Sequence, residues 1–142
     1  MKKENITYCL DSNAVSDILR KRQIVVERLN NELISGNHIT ICSIVYYEIV
    51  RGLKSVGAYK RLAEFHELYD NLPLKVFLDK DDLSVIERAT DIYANLHRGQ
   101  QIEDNDIYIA AIAIENNLPL VTDNIKHFGR IEGLKIVNWR EE

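Results

Sequence analysis

Four carboxylates stand where the apolar runs of this 142-residue chain change character. Asp11 closes the stretch Thr7–Leu10 and is followed by Ser12-Asn13. Glu48 lies inside the run from Ser43 to Leu53. Asp106 opens the apolar run Ile107 to Ile114, and Asp123 follows Leu118–Thr122. Each has an ordinary explanation. Asp11 is a good helix N-cap, Asp104 another, and Asp123 suits a turn. Glu48 fits least well, because a capping-box glutamate would stand three residues after Ser43, where the chain has Tyr46. With Ile44 and Val45 one turn before it, Glu48 lies on or beside an apolar face. A carboxylate there needs a partner: Arg51 or a metal. Asp106 falls about one turn inside its helix and points inward.

Taken together, these groups are oxygen donors with no ordered histidine or cysteine among them. The four histidines, His38, His66, His97 and His127, are scattered without ligand spacing, and neither Cys9 nor Cys42 belongs to a CxxC pair. Carboxylates brought close cannot all stay ionised without a compensating cation. Oxygen-only ligation suits Mg²⁺ or Mn²⁺ and argues against zinc. Such a cluster is suited to phosphodiester hydrolysis, in which the ion activates water and neutralises charge on the attacking and leaving oxygens. Ser12 is a poor nucleophile candidate, since no GxSxG turn surrounds it.

The elements that must position these acids follow from hydrophobic patterning. Strands are expected at Thr7–Leu10, His38–Cys42, Leu74–Leu78, Leu118–Thr122 and Leu134–Val137. Helices are expected at Ala14–Lys21, Ile24–Ile34, from Ser43 to about Leu53, at Ala58–Asn71, from Asp81-Asp82 to near Gly99, and from the end of the Gln100–Glu103 loop to about Asn117. The long helix before Gly99 is expected to turn Leu83, Ile86, Ala89, Tyr93 and Leu96 inward. Strands alternating with helices predict an α/β fold: a single domain over residues 1–142, with a mostly parallel sheet of about five strands flanked by helices. In open sheets of this kind ligands bind outside the carboxyl ends of the strands, where Asp11 and Asp123 fall.

Composition sets the outer bounds. The chain is 46% hydrophobic and 28% charged, which excludes a disordered, collagen-like or coiled-coil protein. Cys9 and Cys42 read as buried thiols in a reducing compartment. The charged start Met1-Lys2-Lys3-Glu4-Asn5 leads into a run too short for a signal peptide, and the longest apolar run is far below the roughly 20 residues of a membrane span. A cytoplasmic location without membrane contact is expected. The net charge of −4 argues mildly against a nucleic-acid partner. The four acids contribute as much negative charge by themselves, so bound divalent ions would remove that objection and should improve RNA binding.

The residues resemble a known family. Asp11-Ser-Asn after the first strand, Ser43-Ile-Val-Tyr-Tyr-Glu48-Ile-Val-Arg-Gly52, Glu103-Asp-Asn-Asp106-Ile-Tyr-Ile-Ala-Ala111 and Leu120-Val-Thr-Asp-Asn124 with His127-Phe128 look like a PIN-domain protein, more narrowly a VapC-type toxin of a toxin–antitoxin system. The resemblance extends to Gly133-Leu-Lys-Ile-Val-Asn-Trp139. It implies a PIN-like parallel sheet and a Mg²⁺- or Mn²⁺-dependent endoribonuclease with Asp11, Glu48, Asp106 and Asp123 as catalytic, metal-holding acids. The fourth place varies in the family, so Asp104 stands beside Asp123 as a supplementary ligand. Ser12 and Asn13 would hold the first acid, and Thr122 or Asn124 would position a water. The implied partners are RNA, a cognate antitoxin and a second copy of the chain, with larger assemblies including the antitoxin.

Other readings are weighed on the same residues. A phosphoacceptor receiver would use Asp79 and Lys126, but leaves Glu48 and Asp106 without a role. A dehalogenase-like phosphatase needs Asp-x-Asp where the chain has Asp11-Ser-Asn13. A non-catalytic PIN-like module that binds RNA or antitoxin is the remaining alternative. For RNA phosphates, Arg20, Arg51 and Lys126 are the candidate contacts, with Arg51 favoured for its place one turn from Glu48.

Overall fold

The computed structural model describes residues 4–78, 82–96 and 99–141. Met1, Lys2, Lys3, Asp79, Asp81 and His97 lie outside the described residues. In chain order the elements are β1 (Thr7–Leu10), α1 (Ser12–Leu19), α2 (Gln23–Ile34), β2 (His38–Thr40), α3 (Ser43–Ser55), α4 (Tyr59–Asp70), α5 (Ser84–Asn95), α6 (Asp104–Glu115), β3 (Leu120–Val121), α7 (Ile125–Phe128) and β4 (Ile136–Val137).

The strands pair in the order β2-β1-β3-β4, every pair parallel. Helices flank this sheet, so the inner strands are covered on both faces. That is why β1 and β3 read as continuous apolar runs instead of alternating ones. From β1 the chain passes through α1 and α2 to β2 on one side, and later returns through α6 to β3 on the other. The carboxyl ends of β1 and β3 therefore diverge at a topological switch point, the crevice where ligands bind in open α/β sheets. Cys9 pairs with Leu120 and Leu10 with Val121, so Asp11 and Thr122 leave the sheet side by side.

Among the described residues the sheet has four strands where about five were expected. Leu74–Leu78 contributes one parallel bridge, Val76 with Cys42. Side-chain oxygens take over the remaining bonding: Thr40 Oγ1 donates to the Leu74 carbonyl at 2.7 Å, and the Leu78 amide donates to Ser43 Oγ at 2.9 Å. Ser43 is the first residue of α3, and Cys42 occupies the cap position.

The face of α5 also differs from expectation. Leu83 and Tyr93 are 65% and 62% exposed, whereas Ala89 is buried and Leu96 packs on the core as expected, with Val85 and Ile92 completing the inner face. The helix carries two apolar stripes, and packing against α6 selects one. The polypeptide between β3 and β4 holds an additional short helix, α7, whose four residues are too few to show helical periodicity.

The buried side chains form one cluster that includes Leu10, Val15, Ile41, Phe65, Ile109, Leu120 and Trp139. In α6, Ala110, Ala111 and Ala113 are fully buried, and their small size allows close packing. Among the described residues no helix is long and apolar enough to cross a membrane.

Candidate active site

Asp11 takes the N-cap position of α1, yet its side chain makes no capping hydrogen bond. The carboxylate instead accepts the Thr122 hydroxyl at 2.8 Å and Asn13 Nδ2 at 3.1 Å, both at Oδ2. Thr122, itself buried, receives Asn13 Nδ2 at 3.2 Å and the Asn124 amide at 3.1 Å. The end of β3 thus fixes the carboxylate at the end of β1. Burial pushes the Asp11 carboxyl up to about 6, and the negative charges of Asp106 and Glu48 add to the rise. The Thr122 hydroxyl and the Ser12 amide oppose it.

Glu48 projects from the second turn of α3. Ser12 Oγ donates to its Oε1 at 2.6 Å and Asn105 Nδ2 reaches Oε2 at 3.5 Å. Its partners are therefore neutral donors. Arg51 stacks over the Tyr47 ring at 4.8 Å, and among the described residues no ion pair joins it to Glu48. Asp106 is the third residue of α6, where the helix dipole favours a carboxylate. Its Oδ2 lies 3.5 Å from His127 Nδ1. Burial raises its carboxyl and Glu48 adds to this, while His127 opposes. Asn124 caps α7 by accepting the His127 amide at 3.4 Å, and its Nδ2 lies 3.2 Å from His127 Nδ1.

Three acids from three separate elements, Asp11, Glu48 and Asp106, therefore share one electrostatic field at the switch point. Asp123 belongs to a different set of contacts. Its carboxylate accepts a hydrogen bond from Arg140 Nη1, and its amide donates to Asn13 Oδ1 at 3.4 Å. Asp104 is exposed and lines a groove against α5 with Ala89, Tyr93 and Ile107.

The basic candidates scatter similarly. Arg51 lies one turn beyond Glu48. Lys126 is exposed on α7. Arg20 caps the far end of α1, eight residues or about 12 Å of helix from Ser12. Sequence reasoning passed over His127 as a neighbour of an acid, and over Asn105, Asp17 and Arg140. Asn105 had a usable signal, being adjacent to Asp106 in the Glu103–Asp106 motif. Arg140 and Asp17, 123 residues apart, had none.

Among the described residues no three of these side chains already converge on a single ligation point. The chemistry of the donor set nevertheless fits a hard divalent cation. The groups are carboxylate oxygens; the charges of Asp106 and Glu48 raise the Asp11 carboxyl, and that of Glu48 raises Asp106. A cation placed among them relieves that repulsion.

A parallel sheet with acids at the diverging ends of its inner strands is the ground on which likeness to known proteins can be judged. Residues 8–134 match the PIN domain family, and the chain belongs to that family. It is 34% identical to Ribonuclease VapC1 of Methanocaldococcus jannaschii over 139 residues, 96% of this chain and 90% of the relative. Its fold resembles VapBC2 from Rickettsia felis bound to a DNA fragment from their promoter, with a TM-score of 0.78, 26% identity and coverage of 94% of this chain and 99% of the other. DNA-bound VapBC from Salmonella typhimurium matches with a TM-score of 0.78 and 27% identity, over 94% and 98% of the two chains.

Proposed function

We propose that the chain is a Mg²⁺- or Mn²⁺-dependent endoribonuclease that acts as the toxin of a toxin–antitoxin pair. The observation that carries this reading is that Asp106 and Glu48 lie close enough to Asp11 at the switch point to add to the rise that burial gives its carboxyl. The likeness to a relative named a ribonuclease and to VapBC complexes supports the substrate class and an antitoxin partner. A homodimer in the cytoplasm is part of the same proposal.

Asp11, Glu48 and Asp106 would hold the ion, which when bound supplies Lewis-acid activation of water and charge neutralisation at the phosphate. The chain's own residues do the positioning. Thr122 and Asn13 fix the rotamer of Asp11. Ser12 and Asn105 hold Glu48. His127 and the α6 amino terminus support Asp106. Arg51 and Lys126, exposed near Glu48 and His127, supply cations for RNA phosphates.

The test is cleavage of total RNA by purified chain in Mn²⁺, with 5′ ends mapped. Asp11→Asn should lower the rate by roughly 10²–10³-fold, the scale of losing one preorganised electrostatic partner. Undiminished Mn²⁺-dependent cleavage by that variant would sink the assignment, and a parent that binds RNA without cutting it would favour a non-catalytic module.

A further inference from the structure

The C-terminal segment carries a cation that reaches two carboxylates at once. Arg140 Nε and Nη2 donate to the two oxygens of Asp17 at 2.7 and 2.9 Å, and Nη1 donates to Asp123. Asp17 is 5% exposed on the inner face of α1, so the fork of Arg140 is the counter-charge that makes its burial tolerable. Trp139, 2% exposed and packed edge-on against Tyr8 with centroids 5.5 Å apart, holds this segment in place. Asp123 consequently lines a narrow cleft with Asn13, Asp17 and Arg140. Among the described residues, no hydrogen bond or ion pair joins its carboxylate to Asp11, Glu48 or Asp106, or to the side chains that hold them. An oxygen already accepting from a guanidinium is a weaker donor to a second cation, and the guanidinium repels that cation. Arg140 also lies beyond residues 8–134, the stretch matched to the family.

We propose that Arg140 is a built-in counter-ion that holds Asp123 out of the metal site, leaving Asp11, Glu48 and Asp106 to hold the divalent ion. This rests on the metal-dependent reading above. Asp123 then acts as a positioning residue: its amide orients Asn13, which in turn donates to Asp11. Removing Arg140 alone would leave buried Asp17 with only the longer contact to Arg22 at 3.8 Å, so the informative variant pairs Arg140→Gln with Asp17→Asn.

The experiment titrates Mn²⁺ into the full chain, following the free-ion paramagnetic resonance signal, with melting curves to verify folding of each variant. Asp106→Asn should weaken binding by about tenfold or more. Asp123→Asn should stay within about twofold of the parent, because its carboxylate is already committed to Arg140. The paired variant should bind about threefold tighter, the scale of a half-exposed ion pair, and adding Asp123→Asn to it should abolish the gain. A loss on Asp123→Asn equal to that on Asp106→Asn, or an unchanged affinity in the folded paired variant, overturns the proposal. If the folded parent takes up no Mn²⁺, the metal-dependent reading itself falls, which is distinguishable because the parent and every variant are then alike.

Discussion

At the scale of single residues, Asp11 is held in a state that opposes folding. Its carboxyl rises from 3.8 to about 6, chiefly through burial, with Asp106 and Glu48 adding to the effect. That difference corresponds to about 3 kcal/mol. The sign follows from linkage. Between pH 4 and 6 the folded chain binds the proton that the unfolded chain has already lost, so this group's contribution to stability falls as pH rises through that window. In metal-free buffer, Asp11→Asn should therefore be more stable than the parent at pH 7.5 by up to about 3 kcal/mol, and equal to it near pH 3.5. Urea unfolding at the two pH values measures the difference, and an Asn variant less stable than the parent at pH 7.5 would contradict it. The acids themselves were legible in the sequence because each interrupts an apolar run. Their partners were less so. The Thr122 hydroxyl is given to Asp11 across 111 residues. Register between β1 and β3 creates that contact, and no local pattern encodes it.

At the scale of elements, α7 shows how a very short helix can serve the site. It sets His127 against Asp106 while Phe128 is fully buried in the core. Gly129 closes it by donating its amide N–H to the Ile125 carbonyl at 2.8 Å, and a Cβ at Gly129 would fall 2.5 Å from that same oxygen. Gly129→Ala must displace backbone, so it should cost about 1–3 kcal/mol by chemical denaturation and lower cleavage through His127 and Asn124. A variant of unchanged stability would show that the turn relaxes freely. The helices and parallel strands were largely readable from apolar spacing. The shortfalls were the fifth strand, reduced to the Val76 bridge, and the buried face of α5. In both cases two local solutions were comparably good, and a tertiary neighbour chose between them: side-chain oxygens of Thr40 and Ser43 for the strand, the apolar surface of α6 for the helix.

At the scale of the whole molecule, the last residues are tied to the first strand. Trp139 packs on Tyr8 and the adjacent Arg140 reaches α1 and the end of β3. Trp139→Ala should cost about 3–5 kcal/mol, the usual cost of truncating a buried large aromatic, and should release the Arg140 clamp as well. Thermal melting would check this; a loss below 1 kcal/mol, roughly the scale of a surface substitution, would mean that the segment contributes little to the core. The net charge of −4 acts at the same scale. On the metal-dependent reading proposed above, Asp11, Glu48 and Asp106 supply the negative charge that a bound divalent ion would offset. Affinity for a cleavage-resistant RNA should rise by about tenfold when Mn²⁺ replaces chelator at low salt, with the gain shrinking as salt rises. Fluorescence anisotropy reads this directly, and equal affinity in both buffers would count against it.

Apolar periodicity and residue type were enough to determine a parallel α/β chain and to place Asp11 at the carboxyl edge of its sheet. Each of these depends on neighbours within one helix turn or one strand. Tertiary structure alone decided the partner of each acid: Thr122 and Asn13 for Asp11, Ser12 for Glu48, His127 for Asp106 and Arg140 for Asp123. Asp123 occupies the sequence position of a fourth ligand, but the fold brings Arg140 to it from 17 residues further along. A carboxylate's role depends on the charge nearest to it in space, and chain separation does not report that distance.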